Sequence, residues 1–66
     1  MNQKIRDALI AKYKGDLAQA EANISVYLLH PVGIGEHPDI MGAVNEQVEL
    51  AVHAQEKLDY ISGLKW

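Results

Sequence analysis

His30-Pro31-Val32-Gly33-Ile34-Gly35-Glu36-His37-Pro38 decides the fold, because it interrupts two long runs of helical patterning. Pro31 lacks a backbone donor and pushes His30 out of the α region, so a helix arriving from the N-terminal side ends near Leu29. Gly33 and Gly35 allow the positive φ of a sharp reversal. Pro38 suits the first turn of a following helix, and Asp39 beside it complements the positive end of that helix's dipole. Val32 and Ile34 are placed to plug the end of the core. A connection this short joins only antiparallel neighbours.

On the N-terminal side, Ile10, Tyr13, Leu17, Ala20, Ile24 and Tyr27 follow one another at alternating spacings of three and four residues. That is the a/d seam of coiled-coil-like packing, and it predicts a helix over about residues 2–29. Ile5, Leu9 and Leu28 widen the stripe. Gly15 is the weak point, since glycine inside a helix costs about 1 kcal/mol relative to alanine. Asp16 and Gln19 could start a new helix there as a capping box. The apolar spacing nevertheless passes from Tyr13 to Leu17 without losing phase, which favours one continuous helix. On the C-terminal side, Met41, Val44, Val48, Ala51, Gln55 and Leu58 keep the same rhythm over residues 39–62, with one polar break at Gln55. Ile40, Leu50, Val52, Ala54 and Ile61 broaden that surface. Gly63 reads as a left-handed cap with Leu64 folding back, and Trp66 as either a final clasp or a loose end.

The expected fold class is therefore all-α: one domain over residues 1–66, an antiparallel two-helix hairpin. A chain of 66 residues without cysteine has neither the size for a generous core nor disulfides to compensate. Association with itself is the most economical remaining source of buried area, and a dimer closing into a four-helix bundle would supply it. Leu9, Leu28, Ile40, Leu50 and Val52 lie beyond the seams and are the expected oligomer interface. Hydrophobic residues make up 48% and charged residues 23%, which argues against disorder. No apolar run approaches the roughly 20 residues of a membrane span, and the first fifteen residues show no hydrophobic signal core. The expected location is cytoplasmic, with no membrane partner.

The net charge of −3 is unevenly distributed. Lys4, Arg6, Lys12 and Lys14 stand against Asp7 alone in residues 1–14, whereas Lys57 and Lys65 face eight acids in the remainder. An acidic body with a basic arm disfavours general nucleic-acid binding, although those four cations make a candidate nucleic-acid patch. His30, Glu36 and His37 cluster at the turn with residue types that bind zinc or nickel, but each histidine precedes a proline, and turn grammar explains both. His53, about 24 Å further along a helix than His37, cannot join them within one chain. Gly33-Ile34-Gly35 lacks the Lys and Ser/Thr of a phosphate loop, and Glu36 would repel an anion. Glu46, Glu49, Glu56 and Asp59 are spaced as a solvated helix face, and nothing pairs a nucleophile with a base. No catalytic residue, metal or cofactor is expected.

The stretch Pro31-Val32-Gly33-Ile34-Gly35-Glu36-His37-Pro38-Asp39 resembles the turn of short helical-hairpin proteins from tailed bacteriophages and marine bacteria. His30 stands where that pattern has asparagine. The resemblance implies an origin more than an activity. In length and hairpin plan the chain is also similar to Rop-type RNA-binding hairpin dimers, without a residue-by-residue match. Two functional expectations follow. The first is a non-enzymatic, oligomerising interaction protein, a phage-encoded accessory, assembly or host-modulating factor whose partner is itself or another phage or host protein. The alternative is a Rop-like regulatory dimer binding structured RNA through Lys4, Arg6, Lys12 and Lys14.

Overall fold

The computed structural model describes residues 2–30 and 39–65; the expected turn at 31–38, with its Val32 and Ile34 plug, and Trp66 lie outside the described residues. Two helices account for nearly all of what is described: α1, Gln3–Leu29, and α2, Ile40–Gly63. They pack against each other as an all-α hairpin, with no strand among the described residues. The chain measures 46 × 15 × 15 Å, about the length of α1 and the width of one helix pair.

Local chemistry sets each helix end. Asn2 caps α1: its side-chain oxygen accepts from the Lys4 amide at 2.7 Å and its carbonyl from the Arg6 amide at 3.1 Å. At the other end the His30 amide closes back on the Val26 carbonyl at 2.8 Å, ahead of Pro31. Asp39 is the N-cap of α2, its carboxylate accepting from the Gly42 amide at 2.8 Å. The second helix thus begins at Ile40, one residue after the expected start. Gly63 also departs from expectation. It is the last helical residue rather than a left-handed cap, and Leu64 beyond it is extended, at φ −72° and ψ 140°. The C-terminal carbonyls are reached instead by the Leu64 amide, 3.4 Å from the Ile61 oxygen.

Helix α1 passes through Gly15 without a break, as the unbroken apolar phase suggested. All six of its expected seam residues are buried or half-buried, with Ala20 the most enclosed. The seam of α2 needs correction. Val44, Ala51 and Leu58 face α1 as expected, but Met41 is 83% exposed, and Val48 and Gln55 are exposed as well. Gln47 and Ala54, each one residue earlier, replace Val48 and Gln55, and Ile61 extends the seam one turn beyond Leu58. Ala20 and Ala54 are the two most buried of the described residues; small side chains on both helices let the backbones approach closely.

Two cross-helix contacts record the register. Asn23 Nδ2 donates to Gln47 Oε1 at 3.1 Å, and ten residues further from the turn on both helices Lys57 Nζ lies 5.6 Å from the centroid of the Tyr13 ring. Equal steps on both strands of the hairpin mean that it runs without slip. A polar pair inside an apolar seam is a common device for choosing one register over its neighbours.

Candidate interaction surface

The hairpin is one layer deep, so it covers its seam from one direction only. Ala20, Ala54 and Ile61 are the buried apolar residues, and no large side chain among the described residues is fully enclosed. Ile10, Tyr13, Leu17, Ile24 and Tyr27 of α1, and Val44 and Leu58 of α2, remain half-buried even though they point between the helices.

One side is a groove with both polar and apolar lining. Asp16, Gln19 and Asn23 of α1 face Gln47, Leu50, His53 and Lys57 of α2 around a depression of about 360 Å³. It continues toward the helix ends, where Leu9 and Tyr13 meet Tyr60, Ile61 and Leu64. Leu64 therefore does fold back toward α1, as the sequence suggested, although by an extended residue. Lys12 borders this side and is held by Asp16 at 2.9 Å. Hydrogen bonding to that carboxylate, and then its charge, raises the Lys12 ammonium above the ordinary lysine value.

The other side carries exposed apolar side chains together with Lys14 and Glu21, which lie in line with Leu28 at heptad spacing, and Asp59, in line with Val52. A helix turns by about 100° per residue, so the faces follow from the groove residues: α2 carries Met41, Val48 and Val52 away from the groove, and α1 carries Leu28 there. All four are exposed. Of the five expected interface residues, Leu28 and Val52 thus share this side, whereas Leu9 and Leu50 line the groove opposite and Ile40 opens α2. One surface does not contain all five. Met41 and Val48, which the spacing had assigned to the seam, belong with Leu28 and Val52. The signal that could have found them is the width of the apolar arc on α2, which exceeds what one partner helix can cover.

The four N-terminal cations do not gather. At about 100° per residue, Lys4, Arg6, Lys12 and Lys14 leave α1 in four different directions; Arg6 is half-buried and Lys12 is engaged by Asp16. Glu46, Glu49, Glu56 and Asp59 are all exposed, Glu49 and Asp59 accepting from Asn45 and Gln55 one turn earlier. Of the candidate turn cluster only His30 is described; Glu36 and His37 lie outside the described residues. Among the described residues no three His, Asp or Glu side chains come together as metal ligands, and no helix is long and apolar enough to cross a membrane. Set against protein-family models, curated proteins and solved structures, the chain matches none of them.

Proposed function

We propose that this chain is a non-enzymatic interaction protein, a helical hairpin that associates with itself and serves as an accessory, assembly or host-modulating factor. The observation that carries this reading is the half-exposed seam together with the large apolar side chains outside it. Leu28, Met41, Val48 and Val52 stand in solvent on one side of the hairpin, and three apolar residues are buried among those described. Contiguous exposed apolar surface marks interaction sites on otherwise water-facing proteins. A second hairpin laid on the first converts each half-covered seam into the centre of a four-helix bundle. The likeness of the turn to those of phage hairpins supports a phage-borne role and is the sole support for it.

The test is the mass in solution. Sedimentation equilibrium over micromolar to millimolar concentrations is expected to give a multiple of 7.3 kDa. A folded, helical monomer across that whole range refutes the reading. The Rop-like alternative requires cations from two copies to combine, since one copy disperses them around α1, and no contact in the hairpin favours it.

A further inference from the structure

We infer that the apolar trough at the open end of the hairpin is the seat of Trp66 of the same chain, a clasp between the end of α2 and the start of α1. This inference does not depend on the self-association proposed above.

Four observations lead to it. The first is an overhang. Asn23 meets Gln47 and Tyr13 meets Lys57, and the same register brings Gly63, the last residue of α2, level with Asp7. The first turn of α1 therefore runs on beyond α2, with Ile5 52% exposed there. The second is the lining. Leu9, Tyr13, Tyr60, Ile61 and Leu64 surround a depression of about 510 Å³ beside that overhang, room enough for an indole. Glu56 on its rim offers a carboxylate to the indole N–H, the donor that a buried tryptophan has to satisfy. The third is the path of the chain. Leu64 leaves α2 in an extended conformation, at φ −72° and ψ 140°, and already lines the depression. Side chains alternate along an extended chain, so the same conformation carried through Lys65 returns to the side of Leu64 at Trp66. Two such residues span about 7 Å, which brings the ring within reach of the trough. The fourth is concentration. A group held by so short a link is present at its site at an effective concentration on the order of millimolar. A second copy or another protein at micromolar concentration competes poorly with it.

Trp66 is the only tryptophan in the chain, so its fluorescence reads the site directly. In the folded full chain its emission is expected at shorter wavelength than in concentrated urea, with acrylamide quenching at least threefold weaker. Both are expected to stay unchanged as protein concentration rises through the micromolar range. Tyr60→Ser and Leu64→Ser alter exposed walls of the depression. Each should shift the emission to the red and raise quenching at least twofold, while circular dichroism shows the helices intact. Leu28→Ser, on the opposite side of the hairpin, should change neither reading. A folded wild type whose emission and quenching match those in urea overturns the inference and leaves the proposed self-association standing. An indole protected only as concentration rises overturns it as well, because a second copy then covers the ring, and that result supports the self-association instead. Equal responses to Leu28→Ser and to the two trough variants overturn the seat.

Discussion

Replacing Gly15 with alanine should stabilise the protein. Gly15 lies in the body of a 27-residue helix, is exposed, and would place a new Cβ within 4 Å of nothing. The substitution therefore changes neither packing nor contacts in the hairpin and acts through the backbone. Glycine is about 1 kcal/mol poorer than alanine inside a helix, much of it from the freedom it retains when unfolded. For a chain of this size, about 1 kcal/mol raises the melting temperature by roughly 4–8 °C. Gly42→Ala is the control, because it has the same propensity gain and the opposite surroundings. A Cβ there would run into the Asp39 carboxylate, whose Cγ lies 2.8 Å from the position it would occupy. That carboxylate is the N-cap of α2, and disturbing it costs about 1 kcal/mol, so the two effects roughly cancel. Thermal melts followed by circular dichroism, at one fixed protein concentration because association shifts the midpoint, compare the two variants directly. An unchanged or lower midpoint for Gly15→Ala would refute the reasoning. It would mean that α1 bends at Gly15 in solution, or that another surface sits against it there.

Three further outcomes follow from the packing and the charges. Ile61→Ala removes the one large buried side chain of the described core; a loss of at least about 2 kcal/mol is expected, measured by urea denaturation, against a total of roughly 3–10 kcal/mol for a chain of this length. Asn23→Leu or Gln47→Leu alone strands the other half of a part-buried hydrogen bond and should cost about 1 kcal/mol; the double variant should recover most of that in a double-mutant cycle, and strictly additive losses would show that the pair is uncoupled. Because Asp16 raises the Lys12 ammonium above 10.5, the pair's stabilisation is complete below that value and is lost as pH rises through the higher folded-state value. Both side chains are largely in solvent, so the effect is small; the melting-temperature gap between wild type and Lys12→Gln should close in strong alkali, and a gap that widens there would reverse the assignment.

Much of the hairpin was legible in the residue pattern because its determinants are local. Helix periodicity, the Pro31 stop and the persistence of phase across Gly15 each depend on residues within a turn or two of one another. The seam of α1 was equally readable, since large and small apolar residues there fall on one narrow line. Helix α2 is different. Its apolar arc runs from Leu50 through Ala54, Leu58 and Val44 to Val48 and Val52, more than half its circumference, so several stripes satisfy a three-four rhythm. Hydrophobicity alone cannot select among them. The packed structure selects Gln47 and Ala54 over Val48 and Gln55, because Asn23 supplies a partner for Gln47 and Ala54, like Ala20, is small enough to let the backbones approach closely.

The candidate surface shows the same division. That the chain carries more apolar surface than two helices can hide was determined by composition and spacing. Which side presents it was not, because Leu9, Leu50, Leu28 and Val52 look alike as hydrophobic positions in a list of residues. Only the antiparallel pairing of the two helices sends Leu9 and Leu50 to one side and Leu28 and Val52 to the other. The dispersal of Lys4, Arg6, Lys12 and Lys14 has the same origin. Proximity along a chain is not proximity on a face, and a helix that turns by about 100° per residue separates neighbours that sequence places together.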